Sequence, residues 1–182
     1  FPTVPSAMRA AWVAEKAELP AAVPDFIYAK WMFKGKLFKK TYTGKDAAQA
    51  LLGKACAEGD LGAVKRAVAA GADPNKRAHK YSDGSLDNDI RGSCTAVLVA
   101  AYNGNVRELR FLLAAAGADP NIDSGDSYGG SSSGRRTPCY EACWYHHHDC
   151  VRVLLALGAA PDHSTYTDDT LKCTCPGDIT HA

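Results

Sequence analysis

This sequence has no long apolar run, almost no net charge and an odd number of cysteines. No stretch of about 18 consecutive apolar residues occurs in the 182 residues, so the sequence predicts no membrane-spanning helix. The net charge is only +1, which gives the chain no overall attraction to nucleic acid or anionic lipid. The seven cysteines are an odd number that does not suit a secreted disulfide framework, and they favour a reducing compartment.

The first residues also lack the layout of a signal peptide. The chain begins at Phe1, which resembles the residue at the cleavage point of some plastid proteins. We therefore expect an intracellular, reducing location, with a plastid or mitochondrion as the candidate compartment after removal of a targeting segment. A sequence trimmed at its start would explain Phe1 equally well.

Charge is distributed unevenly along the chain. Residues 1–45 carry eight basic and three acidic side chains, a net charge of +5, and residues 46–182 carry a net charge of −4. A basic arm on a mildly acidic body predicts that the two parts meet different surfaces.

A five-residue motif recurs along the body. Gly-Ala-Asp-Pro-Asn at residues 71–75 returns at 117–121, and a weaker copy, Gly-Ala-Ala-Pro-Asp, occupies 158–162. Each copy follows an apolar pattern of helical period and supplies a glycine where the chain turns. The predicted helices are Leu61–Ala70, Val106–Ala116 and Asp149–Leu157. A second short helix precedes each one and ends in a small-residue pair, which allows two antiparallel helices to pack closely: Ala55-Cys56, Ala100-Ala101 and Ala142-Cys143.

Local signals mark where these helices begin. Thr137-Pro138 is the fullest signal, because a hydroxyl that can cap the helix is followed by proline at the first helical position, and Thr95 begins a looser version. Asp60 and Asn105 each follow a glycine, so each is predicted to accept a hydrogen bond from the N–H groups that open the next helix.

These residues resemble the ankyrin-repeat family, whose repeat of about 33 residues has a turn, a T-P-L-H-x-A helix start, a second helix and a G-A-D-x-N hairpin. The resemblance implies an all-α solenoid of stacked helix pairs with β-hairpin or loop fingers, used for protein recognition. Three repeats are predicted, at about residues 46–75, 94–121 and 137–162.

The sequence departs from the family pattern in the spacing of its repeats. Gly71 and Gly117 are 46 residues apart, and Gly117 and Gly158 are 41 apart. The extra residues are polar and turn-rich, so they predict enlarged fingers at 76–93 and 122–136. His146 stands where the first two repeats have glycine, and a left-handed turn there would be strained.

An N-terminal extension precedes the repeats. Residues 5–19 have a serine cap and good helix formers, which predicts one amphipathic helix. Lysines then alternate with Phe26, Tyr28, Trp31, Phe33, Leu37 and Phe38. Three interpretations stay open for this segment: a cap on the first repeat, an arm that docks on a partner protein, or a peripheral contact with an anionic membrane. Residues 163–182 predict an irregular cap or tail.

No catalytic or cofactor-binding residue is predicted. A cluster at Cys139, Cys143, His146, His147, His148 and Cys150 has ligand spacing that zinc could use, but no C-x₂-C pair, and the cysteines align with small or apolar core positions of the other repeats.

Recognition residues are expected from the fingers, the inner helices and the arm. The candidates in the repeats are Lys76, Arg77, His79, Lys80, Tyr81, Tyr102, Asn103, Tyr128, Arg135, Arg136, Trp144 and Tyr145. The candidates in the arm are Phe26, Tyr28, Trp31, Phe33 and Phe38.

The sequence therefore predicts a non-catalytic interaction scaffold with a protein partner and no nucleic acid. The aromatic arm favours an accessory subunit anchored to a larger assembly, such as an organellar photosynthetic or respiratory membrane complex. A free regulatory adaptor that binds partners reversibly is the alternative within this class, and a zinc-stabilised protein is the rival outside it.

Overall fold

The computed structural model describes residues 26–33, 36–80, 84, 93–124 and 136–160. Within them, an antiparallel pair of strands is followed by six helices arranged as three pairs. The elements are β1 Phe26–Phe33, β2 Lys36–Tyr42, α1 Gly44–Glu58, α2 Leu61–Ala69, α3 Ala96–Tyr102, α4 Val106–Ala114, α5 Pro138–Trp144 and α6 His148–Ala156. The predicted helix at 5–19 and the predicted tail at 163–182 lie outside the described residues.

The helix pairs stack as a solenoid. Helix α1 packs on α2 and on α3, α3 packs on α5, and α4 packs on α6, so each pair contacts the next one. Small residues at the predicted pairs allow this close approach, and Ala55, Cys56, Ala100 and Ala101 are buried. The largest fully buried apolar side chains are Leu52, Val64, Val97, Leu98, Val99, Leu109, Leu112, Val151 and Leu154. The core therefore runs continuously through the three repeats.

Glycine turns join the two helices of the first and second pairs. Gly59 and Gly104 have φ values of 75° and 74°, which place both in the left-handed region. His146 at the equivalent turn of the third pair has a φ of 60°. The turn therefore keeps its left-handed conformation without a glycine, and this conformation strains a residue with a Cβ by about 1 kcal/mol.

The helix caps agree with the prediction at three of four positions. Asp60, Thr95 and Thr137 each accept a hydrogen bond from the N–H three residues later. The prediction for Asn105 was wrong, because its side chain makes no cap hydrogen bond. Asn105 instead donates through Nδ2 to the carbonyl oxygen of Cys56 at 2.7 Å, and so joins the second repeat to the first.

Asparagine side chains also join the repeats on the side of the recurring motif. Asn75 donates through Nδ2 to the carbonyl oxygen of Gly117 at 3.3 Å, and the N–H of Asp119 donates to its Oδ1 at 2.8 Å. Asn121 makes the same two contacts with Gly158 and Ala160, at 3.2 and 2.8 Å. The motif thus fixes each repeat to the one after it.

Both predicted fingers close at their base. The backbones of His79 and Cys94 form an isolated antiparallel bridge at the base of the first finger. The N–H of Ser124 donates to the carbonyl oxygen of Arg136 at 2.9 Å at the base of the second. The rest of each finger, residues 81–83, 85–92 and 125–135, lies outside the described residues.

The extension adds a β-hairpin that packs against α1. The all-α prediction therefore applies to the repeats only. The alternation of aromatic residues and lysines has the period of a strand and could have indicated the hairpin.

A β-bulge between Tyr28 and Lys30 determines which residues share a face of this hairpin. Residues that pair across an antiparallel ladder share a face, and the face alternates along each strand. The extra residue shifts this alternation, so Phe26 and Tyr28 share a face with Trp31 and Phe33. By register, that face holds Phe26, Tyr28, Trp31, Phe33, Lys36, Phe38, Lys40 and Tyr42. The opposite face holds Ile27, Lys30, Met32, Leu37, Lys39 and Thr41.

Candidate partner-binding surface

Aromatic side chains gather where α3 and α5 end. Trp144 is 49% exposed and Tyr145 is 39% exposed, which is unusual for large hydrophobic side chains in these helix pairs. The ring of Tyr102 meets that of Tyr145 edge to face, with centroids 4.5 Å apart. The ring of Tyr140 stacks on Trp144 with centroids 6.0 Å apart. We call Tyr102, Tyr140, Trp144 and Tyr145 the aromatic patch.

The equivalence of two repeats explains this position. Thr95 and Thr137 cap α3 and α5, and Tyr102 and Trp144 each lie seven residues after their cap. Because α3 packs beside α5, the ends of both helices reach the same surface. The patch is thus presented by two packed helices, which limits the freedom that its rings lose on binding.

A side-chain hydrogen bond joins Tyr102 and Tyr145 at the centre of the patch. A side-chain hydrogen bond with Tyr102, followed by partial burial, raises the pKa of Tyr145 to about 12. Tyr145 therefore stays neutral across the physiological pH range. A neutral ring with one apolar face and one polar end is common in protein interfaces.

An ion pair borders the patch. Arg136 Nη1 lies 3.2 Å from Glu141 Oε1, and the guanidinium sits 5.8 Å from the centre of the Tyr140 ring. The Glu141 side chain is fully buried, whereas that of Arg136 is 37% exposed. Burial raises the pKa of Glu141, and the neighbouring Arg136 opposes this rise.

The predicted binding residues at the first finger divide into exposed and buried ones. Lys76, Arg77 and Lys80 are exposed at its base. Arg77 Nη2 lies 2.8 Å from Asp123 Oδ1, so it ties the base of the first finger to that of the second. Tyr81, Tyr128 and Arg135 lie outside the described residues.

His79 was predicted to contact a partner, and this prediction was wrong because its side chain is fully buried. Its Nδ1 lies 3.2 Å from the carbonyl oxygen of Gly84, and its Nε2 lies 3.0 Å from Gln49 Nε2. Gln49 also bonds both the N–H and the carbonyl oxygen of Asp73. The histidine therefore fixes the first finger to α1.

Asn103 lies half-buried beside Tyr102, at the end of α3. Its Nδ2 donates to the carbonyl oxygen of Val99 at 2.9 Å. The five aromatic residues predicted in the arm, Phe26, Tyr28, Trp31, Phe33 and Phe38, are brought together on one face of the hairpin by the register.

The cysteine and histidine cluster does not form a ligand set. No group of three or more histidine, cysteine, aspartate or glutamate residues is placed to hold a metal ion within the described ranges. Cys139 and Cys150 are buried in the core, and burial raises the pKa of Cys150 to about 12. Cys143 is disulfide-bonded, which the sequence did not predict. His147 contacts the carbonyl oxygen of Tyr102 through Nε2 at 3.0 Å.

None of the helices in the described part of the chain is long and apolar enough to cross a membrane.

Three stacked helix pairs, each closed by the Gly-Ala-Asp-Pro-Asn motif or its weaker copy, define a repeat solenoid. The family model for ankyrin repeats in three copies matches residues 43–165. The chain therefore belongs to the ankyrin-repeat family, which makes it a protein-protein interaction module of a family that is typically non-catalytic. No curated protein matches the chain.

Two residues of this surface were missed by the sequence analysis. Tyr140 and Glu141 stand where the second repeat has Leu98 and Val99. The signal that could have found them is that Tyr140 and Glu141 replace two apolar residues of the aligned repeat. Because Glu141 is followed by Trp144 one helical turn later, the three bulky or charged residues could have been placed together.

Proposed function

We propose that this protein is a non-catalytic scaffold that binds a partner protein through the aromatic patch. The observation that carries the proposal is the exposure of Trp144 and Tyr145 beside the half-exposed Arg136. Tryptophan, tyrosine and arginine are the residues that most often dominate binding energy at protein interfaces. The exposed bases at Lys76 and Lys80 would meet an acidic rim of the partner.

The test is binding by a double variant, Trp144→Ala with Tyr145→Ala, in a pull-down from native extract followed by cross-linking. We expect the partner to be lost and the thermal unfolding to change little, because both side chains are exposed. Arg107→Ala is the matched control, since Arg107 is exposed on the outer helix α4. Retention of every partner by the double variant would overturn the proposal.

We further propose that the protein is an accessory subunit held in a larger assembly by its N-terminal hairpin. The segment from Phe26 to Tyr42 has five lysines and no acidic residue, and its bulge gathers six aromatic residues on one face. Such a face suits an apolar surface with an acidic rim on another subunit. An organellar membrane complex, in a plastid or mitochondrion, is the proposed home, and organelle fractionation tests it.

The faces of the hairpin provide a matched pair of variants. Trp31 pairs with Phe38 on the aromatic face, and Met32 pairs with Leu37 on the opposite face. We expect Trp31→Ser with Phe38→Ser to release the protein from its assembly on a native gel, and Met32→Ser with Leu37→Ser to leave it bound. If the aromatic pair instead lowers the unfolding temperature of the repeats and leaves co-migration intact, the hairpin is a cap and the anchoring proposal fails.

The free regulatory adaptor predicts a different result from the same gel. It would migrate alone at low concentration and join its partner only on addition, whereas a fixed subunit would migrate with the assembly in untreated extract.

A further inference from the structure

Glu141 is a carboxylate at a position that should be apolar. It lies four residues after the Thr137 cap, and the residue four after the equivalent cap, Thr95, is Val99. Both Glu141 and Val99 are fully buried. A valine in place of Glu141 would satisfy the packing without any charge, so the stability of the stack does not explain the carboxylate.

The carboxylate is satisfied on one side only. Oε1 receives Nη1 of Arg136 at 3.2 Å, whereas Oε2 is buried with no hydrogen-bond partner. A buried acceptor without a donor destabilises the protein by the full cost of its lost hydration. Native structures hold few such groups, and each one calls for a physical explanation, such as a partner that is missing from the free protein.

Glu141 lies on the same side of α5 as two members of the aromatic patch. Trp144 and Tyr145 follow Glu141 by three and four residues, so they lie one turn further along the same side of α5. The Glu141 charge also contributes to the raised pKa of Tyr145, which places the two groups within electrostatic reach of each other. Both rings are exposed, so they can rotate when a partner binds. Such rotations of side chains at an interface are common.

We propose that Glu141 selects partners with a basic side chain, an arginine or lysine that enters the aromatic patch and donates its hydrogen bond to Oε2. The inference rests on the proposed function and names the chemistry of the partner. Aromatic faces attract a cation, and a carboxylate with two oxygens can serve Arg136 and a second cation at once. A neutral donor could also give a hydrogen bond to Oε2, but it would not be attracted to the aromatic rings as a cation is.

The test is selection of binders from a random peptide library on the full chain. Peptides are kept only if the variant Trp144→Ala with Tyr145→Ala no longer binds them. We expect these peptides to share one arginine or lysine, and Glu141→Val to weaken their binding by about tenfold or more. Glu141→Gln, which keeps the shape and removes the charge, should weaken them to an intermediate degree.

A double-mutant cycle separates the contact from a general disturbance of the patch. Replacing the basic residue of the peptide by methionine should lower its affinity for the wild type by the same factor as Glu141→Val does. The same replacement should change its affinity for the Glu141→Val variant little. Patch-dependent peptides that bind Glu141→Val unchanged would overturn the inference and leave the proposed function standing. A library without any patch-dependent peptide would overturn both.

Discussion

The N–H of Asp119 donates a hydrogen bond to Oδ1 of Asn75, with 2.8 Å between the two atoms, although the residues are 44 apart in the chain. Asn121 holds Ala160 at the same distance in the next repeat. Each asparagine also donates to the glycine that opens the next copy of the motif. Neighbouring repeats are therefore joined by a pair of hydrogen bonds in addition to the apolar core.

Removal of either asparagine should weaken the junction of two repeats. We expect Asn75→Ala and Asn121→Ala each to lower the free energy of unfolding by about 1 to 2 kcal/mol, because each loses two hydrogen bonds. Urea unfolding followed by circular dichroism measures the change. Arg107→Ala, exposed on α4, should stay within about 0.5 kcal/mol of the wild type, and a similar loss in this control would contradict the assignment.

The buried His79 should make stability depend on pH. Burial lowers its pKa from 6.5 to about 4, and the nearby Lys76 adds to this lowering, although the hydrogen bond to the Gly84 carbonyl opposes it. The unfolded chain therefore binds more protons than the folded one between these two values. Stability is fully present above pH 6.5 and is lost as the pH falls toward 4, by about 3 kcal/mol.

Chemical unfolding at a series of pH values tests this dependence. His79→Gln should be less stable than the wild type at pH 7, and its profile between pH 4 and 6.5 should be flatter. His148→Ala is the control, because His148 is exposed at the start of α6. A wild-type slope that survives in His79→Gln would assign the pH dependence to another group.

Gly53 should resist replacement by alanine although it lies inside a helix. Alanine is normally better than glycine there by about 1 kcal/mol. A Cβ on Gly53 would overlap the ring of His79 and the carbonyl oxygen of Gly84, which are both held in the buried network. We expect Gly53→Ala to lower the unfolding free energy by about 1 to 3 kcal/mol.

Gly62 provides the matched comparison in α2. A Cβ there would lie 3.3 Å from Asp60 Oδ1 and 3.5 Å from Arg66 Nη1, so the exposed Asp60 side chain would have to shift by only a few tenths of an ångström. Gly62→Ala should therefore be neutral or stabilising by up to about 1 kcal/mol. Equal losses in the two variants would mean that the contact with His79 does not decide the outcome.

The left-handed turn at His146 should accept glycine. Gly59 and Gly104 occupy the same turn in the other repeats with φ values of 75° and 74°, close to the 60° of His146. We expect His146→Gly to raise the unfolding free energy by about 1 kcal/mol, because it removes the strain of a Cβ in this region. Arg152→Gly, at an exposed position in the interior of α6, should be destabilising by about the same amount, which a thermal scan of both variants would show.

Part of the candidate surface could be read from the repeat alignment. Tyr102 and Trp144 fall at the same distance from their caps, so the stacking of two repeats places them together. Their prediction needed only the local periodicity and the knowledge that the repeats stack. The alignment could not show that Glu141 is buried or that it pairs with Arg136, because both depend on how the side chains pack.

The errors have the same physical origin. His79 lies in a polar stretch that looks like an exposed finger, yet it folds back on Gln49, which precedes it by 30 residues. Asn105 has the sequence of a helix cap, and it bonds Cys56, which precedes it by 49 residues. In both cases a contact between distant residues replaced the local one that the pattern predicts.

The repeats and the approximate limits of their second helices could be predicted from the sequence, because these follow from hydrophobic period, caps and glycine positions within a few residues. The left-handed turn at His146 could not, because a histidine there has no local preference for that conformation. Tertiary structure alone decided the burial of His79, the face that gathers Phe26 with Trp31, and the unpaired oxygen of Glu141. Burial, register and hydrogen-bond satisfaction depend on which distant segments meet, and no local pattern fixes that choice.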